Sequence, residues 1–140
     1  SYETDSRPFY GPVDYAYSTV LGGFDTAAAA WPSPVRFNRM TDVRNATRTA
    51  AFWDSSRITG GVPDRSWLGW PTSRTGVAGP NFHGRHSGNT YGNVAWADGH
   101  AGSFQPWMGS GDITDNHRQY NIGDIDEDGD DTTNELYDLE

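Results

Sequence analysis

Arg85–Phe104, RHSGNTYGNVAWADGHAGSF, is the stretch on which the reading of the fold turns. Tyr91–Ala97 is rich in β-formers, Asp98-Gly99 follows, and Ala101–Phe104 is able to run back alongside. Asp-Gly between two β-like runs is a strong short-range hairpin signal, because a type I′ turn needs positive φ at both central residues. With Asp98-Gly99 at the corner, Trp96 faces Ala101 and Val94 faces Ser103, laying one large ring over small neighbours. A three-residue loop ending in a glycine bulge shifts that register, and both turns remain open at this level.

Working outward, Arg48–Asp54 reads as a second strand, with Ala51 and Trp53 on one side and Ala50 and Phe52 on the other. Six Trp, seven Tyr and six Phe accompany few Leu, Ile or Met. A core of rings, Val and Ala suits sheets better than helix bundles. Seventeen Gly and eight Pro punctuate turns and interrupt helices, which argues against an all-helical chain. Asp25–Trp31 reads as a short Ala-rich helix, capped by Asp25 or Thr26 and stopped by Pro32 and Pro34. Residues Ser55–Pro80 form a long Gly/Pro-rich loop, and Gln105–Tyr120 a connector. The expected fold class is therefore α+β: a small, mostly antiparallel sheet, one short helix and long loops. The 140 residues divide into an extended arm (1–20), a globular body (21–121) and an acidic tail (122–140). Tyr15–Val20 is the part of the arm suited to a strand, either packed on its own domain or added to a neighbouring subunit's sheet.

The same stretch resembles the C-terminal signature of prepilin-type, type II secretion pseudopilin-like proteins. In that signature a His and a Gly-rich spacer precede Asn-Val, an aromatic residue and Ala-Asp-Gly-His. Arg85-His86, Gly88, Asn93-Val94 and Trp96-Ala97-Asp98-Gly99-His100 match in order. The interval between His86 and Asp98 holds eleven residues against the family's nine. Asp14–Tyr17 and Thr49–Ser55 also resemble segments that precede the signature, so the resemblance spans about Asp14 to Phe104. The family's long apolar N-terminal helix has no counterpart in this sequence. The resemblance implies a pilin-like globular domain and a structural role, as a secreted or cell-surface subunit that assembles with itself. Ser1 in place of Met implies a preceding segment, which is compatible with secretion.

Charge becomes informative once it is located. The formal net charge is −9, yet Ser1–Asn121 holds ten acids against ten Arg, whereas Asp124–Glu140 holds nine acids and no base. A neutral body with an acidic tail lacks the concentrated positive charge that nucleic acid or an anionic membrane requires, and invites a cation instead. The longest apolar run, Ala27–Trp31, falls far short of the ~20 residues of a membrane span. With no Cys, disulfides and thiolate metal sites are excluded.

The tail sequence Asp124–Glu135, DIDEDGDDTTNE, fits the calcium-loop spacing of acids at positions 1, 3 and 5, Gly at 6 and Glu at 12. Ca²⁺ takes six to eight oxygens, and alternate residues of a tight loop aim carboxylates inward. The expected metal ligands are Asp124, Asp126, Asp128, Asp130 and Glu135. Position 8 is Asp131 rather than apolar, and Asp115–Gly123 is too polar for a strong flanking helix. An isolated calcium-stabilised loop is the reading, set against a solvated acidic tail.

Three further constellations stand beside it. His83, His86 and His100 with Asp98 form a conceivable zinc cluster, set against a hydrogen bond from His86 to Asp98 that fixes loop to turn without metal. Trp67, Trp70 and Trp107 suit stacking on a sugar ring, giving an alternative function as an extracellular carbohydrate-binding module whose partners are surface glycans. Asp54-Ser55-Ser56 with His83 or His86 assembles into a hydrolase triad only on paper, because no G-x-S-x-G elbow is present, and no catalytic residue is assigned. Asn45-Ala46-Thr47 is an N-glycosylation sequon.

Overall fold

A computed structural model describes residues 15–18, 41, 43, 45–66, 68–69 and 80–125. Nine strands and one helix follow in order among them: β1 (Tyr15–Ser18), β2 (Ala50–Asp54), β3 (Arg57–Thr59), β4 (Val62–Asp64), β5 (Leu68–Gly69), β6 (Phe82–His83), β7 (Gly92–Trp96), β8 (Ala101–Phe104), α1 (Asp115–Tyr120) and β9 (Ile122–Gly123). The described part is a small, mostly antiparallel β domain with one short helix. Its main sheet has five strands in the order β5-β1-β2-β7-β8, and two two-stranded sheets, β3-β4 and β6-β9, flank it.

Alternation explains which face is buried. Ala16, Trp53 and Val94 lie in register across β1, β2 and β7 and are almost fully buried. With Ala50, Phe82, Trp96 and Ile125 they make the core, and Phe104 packs against it. Tyr15, Tyr17 and Phe52 point to the opposite face, where Tyr15 is 55% and Phe52 49% exposed. One departure from strict alternation occurs in β2. A bulge between Ala50 and Phe52 places an extra residue there, so Ala50 and Ala51 are both buried instead of taking opposite faces.

The hairpin takes the longer of the two turns. Ala95 pairs with Ala101, Val94 with Gly102 and Asn93 with Ser103, one residue away from the Trp96–Ala101 register of the two-residue turn. Trp96 donates its N–H to the His100 carbonyl, and Gly99 donates back to Trp96. Gly99 alone at the corner has positive φ, +94°, which is a type I turn closed by a left-handed glycine. The reason lies outside the hairpin: the N–H groups of Ala97 and Asp98 donate to the carbonyls of Thr49 and Ala46. The turn at residues 46–49, directly before β2, thus fixes the corner of the hairpin.

β1 is an interior strand, antiparallel to β2 and parallel to β5, so Tyr15–Ser18 packs on its own domain. The stretch expected as a connector contains α1, a six-residue helix. Thr114 precedes it, and Asn121 ends it in the left-handed conformation, φ +51°. It carries no apolar stripe, so periodicity does not reveal it. Ile122 and Ile125 are buried, and the Asp124 backbone pairs with Trp107, binding the start of the acidic segment to the body. The expected helix at 25–31, Trp67, Trp70, and Asp126, Asp128, Asp130 and Glu135 lie outside the described residues.

Candidate functional site

The signature residues converge on Asp54. This acid ends β2, opposite Tyr15 on the outer side of the sheet, yet it is only 1% exposed. A buried carboxylate needs charge-assisted partners, and the chain supplies three. Arg85 Nε lies 3.1 Å from Oδ1 and His86 Nε2 lies 2.9 Å from Oδ2. The Asn93 N–H donates to Oδ2 at 2.6 Å. The Arg85 guanidinium also sits over the Tyr15 ring, 5.7 Å from its centroid, within cation–π range. One side chain thereby holds the first residues of the signature and the strand that follows them.

Between those points the chain makes a tight loop. His86 and Tyr91 exchange backbone hydrogen bonds of 2.8 and 3.2 Å. Ser87, Gly88 and Asn89 all have positive φ, +50°, +73° and +67°. Two non-glycine residues in that region carry local strain that surrounding contacts must offset. A second clamp provides them: Asn121 Nδ2 donates toward the carbonyls of Gly84, Asn89 and Thr90 at 2.9–3.2 Å. The Asn121 carbonyl accepts the Gly84 N–H. Gly84 and Gly92 are required here by space, since a Cβ at Gly84 would meet Asn121 Nδ2 at 2.1 Å and one at Gly92 the Phe82 ring at 2.5 Å.

Asp98 is occupied elsewhere. The expected His86–Asp98 hydrogen bond is replaced by His86–Asp54, while Asp98 Oδ1 takes the N–H and Nδ1 of His100 at 3.1 and 2.6 Å. Those two bonds hold the Asp98 carboxyl below its ordinary range. The His100 ring stacks on Trp96, 5.7 Å away with planes 16° apart. The imidazoles are thus divided between two acids, and among the described residues no group of three or more His, Asp or Glu converges as a metal site. His83 is pushed down from its ordinary range, first by burial and then by the Arg85 charge.

The hydroxyls beside Asp54 are committed to backbone. Ser55 Oγ donates to the Ser66 carbonyl and Ser56 Oγ to that of Asp64. His86 meets Asp54 through Nε2, and neither serine is bonded to it. Deeper in, Trp53 Nε1 donates to Asn81 Oδ1 at 3.1 Å and Asn81 Nδ2 to Ser66 Oγ at 3.3 Å, tying β2 to the segment before β6.

Of the expected calcium ligands, Asp124 alone falls among the described residues. Its N–H and C=O pair with Trp107 at 3.1 and 2.9 Å, and the residue is 5% exposed. Trp107 is half-buried with Gly109 against its ring, where a Cβ would come within 2.3 Å. Asn45 lies exposed in a turn, its Oδ1 accepting from Thr47 Oγ1 at 2.8 Å.

The sequence grouped Asp54 with His83 or His86 only as a triad on paper and otherwise set His86 against Asp98, so it missed the direct His86–Asp54 pairing as a structural contact. The missed signal is an acid closing an apolar strand run, AAFWD, which a sheet must bury and neutralise. Asn121 was missed as well; an Asn directly after a polar helix is a common left-handed cap. Compared with family models, curated proteins and solved structures, the chain matches none of them.

Proposed function

We propose that this chain is a structural subunit, pilin-like in its globular domain, that assembles with itself into an extracellular or cell-surface filament or pseudopilus. The observation that carries the reading is the use made of Asp54. Both of its oxygens are committed to the signature loop and to the strand after it, so the most chemically distinctive residues act as a fastener. His86 holds a loop in place, and the neighbouring serine hydroxyls donate to carbonyl oxygens. Residues arranged for general-base work place a proton acceptor against a nucleophile; here the serine hydroxyls are tied to backbone and the His86 ring to Asp54.

Calcium belongs to the same proposal. Asp124 is anchored through its backbone to Trp107, which gives a loop of Asp124, Asp126, Asp128, Asp130 and Glu135 a fixed first residue. A bound divalent ion neutralises the crowded carboxylates and stabilises the fold or a contact between subunits. Electron microscopy of the purified 140-residue chain, with and without calcium, is the test. Ordered filaments or regular oligomers are expected; dispersed monomers under both conditions contradict the reading.

A further inference from the structure

The five-stranded sheet ends on β8, and the pairing pattern says what its outer edge offers. Trp96 and His100 are a hydrogen-bonded pair. Antiparallel pairs alternate, so Val94–Gly102 and Gly92–Phe104 are hydrogen-bonded, whereas Ala95–Ala101 and Asn93–Ser103 are not. The N–H and C=O groups of Ala101 and Ser103 therefore point away from β7. Among the described residues no strand pairs with that edge. Edges are ordinarily blunted by charge, proline or a bulge, and Ala101-Gly102-Ser103-Phe104 carries none of these.

We propose that β8 pairs antiparallel with β8 of a second copy across a two-fold axis through Gly102, joining two sheets into one. It rests on the reading of the chain as an assembly subunit and names the contact. Self-pairing is favoured because this edge is its own complement. About the axis, Ala101 faces Ser103 of the other copy and Ser103 faces its Ala101, so every outward N–H and C=O finds a partner. Such an isologous contact is the commonest in homo-oligomers. Gly102 meets its own copy at the closely spaced, non-hydrogen-bonded position, where Cα atoms approach to about 4.5 Å. A side chain there would crowd the join, and Phe104 already fills the space where a Cβ of Gly102 would stand, at 3.0 Å. The same register sets Phe104 of one copy opposite His100 of the other.

Charge reversal across the join tests this by sedimentation velocity, with near-ultraviolet circular dichroism to verify the fold. The wild-type chain is expected to sediment as a dimer or larger. Ala101→Asp combined with Ser103→Asp places like charges directly opposite each other and should return the chain to a monomer. Ala101→Lys combined with Ser103→Lys should do the same, and mixing the two variants should restore a heterodimer. An Ala101→Cys variant mixed with a Ser103→Cys variant, in a protein without other cysteines, should crosslink copy to copy on oxidation. A monomeric wild-type chain, association undiminished in the acidic variant, or no heterodimer on mixing overturns the contact. Filaments that persist in the acidic variant refute β8 pairing and leave the assembly reading standing. A wild-type dimer that never extends supports the pairing and refutes the filament.

Discussion

Replacing Asp54 with Ala removes a charge-assisted hydrogen bond to the Asn93 N–H and two ion-pair contacts, to Arg85 and His86. The carboxylate is 1% exposed, but the Arg85 and His86 side chains are 24% and 45% exposed, so water retains part of each partner. A hydrogen bond to a buried charge is worth about 1.5–3 kcal/mol, and each half-exposed pair adds about 0.5–1 kcal/mol. These contributions sum to about 2.5–5 kcal/mol; with both partners part-exposed the expected loss is about 3 kcal/mol, at the low end of the 3–5 kcal/mol seen when a fully buried pair is broken. For a chain of this size that lowers Tm by roughly 6–12 °C. Urea denaturation and thermal melting measure it. Asp54→Asn keeps an acceptor for Asn93 and should lose about half as much. In a His86→Ala background, Asp54→Ala should cost about 0.5–1 kcal/mol less than in the wild type. Amide exchange should quicken first over residues 84–93, the segment the carboxylate fastens. A loss under about 0.5 kcal/mol, typical of a surface change, would falsify the fastener argument.

Other outcomes follow from the same contacts. Asn121→Gly keeps the left-handed cap but removes the side-chain clamp on Gly84, Asn89 and Thr90, and should cost about 1–3 kcal/mol in denaturant titrations. Gly92→Ala drives a Cβ to 2.5 Å from the Phe82 ring and 2.6 Å from the His83 carbonyl, an overpacking expected to cost about 1–3 kcal/mol and to lower Tm. Burial lowers the folded pKa of His83 and of His117, so the unfolded chain binds more protons just below the ordinary histidine value. Stability should therefore fall as pH drops from about 6.5 toward those lowered values and then level off; melting across that range checks it, and His117→Gln should flatten part of the slope. Calcium at ~100-fold excess over its Kd should raise stability by roughly 2.7 kcal/mol, and chelation that leaves the melt unchanged removes the metal from the account.

The hairpin was legible because Asp-Gly between β-like runs has few alternatives. Its register was not, because Gly99 suits either turn and the choice is made by Ala46 and Thr49, remote in sequence. β2 was legible from its aromatic and Ala content, but its bulge was not, since a single extra residue leaves no compositional trace. α1 was hidden by polarity: it is held at its ends, by Thr114 and Asn121, more than by an apolar face. The partner of His86 was misassigned for a topological reason. Asp98 is near in sequence, but pairing β2 with β7 brings Asp54 to the loop across 32 residues. Proximity along the chain is a poor guide when a strand from far upstream supplies the acid.

The most direct measurement is the long-range ¹H–¹⁵N NMR spectrum of the His86 ring. A carboxylate only accepts, so Nε2 facing Asp54 must carry the proton. A slowly exchanging Nε2–H coupled to the Asp54 carboxylate, and lost in Asp54→Asn, is the predicted result. A His86 ring that exchanges freely between tautomers, with no coupling to Asp54, contradicts the claim that one buried acid organises the signature.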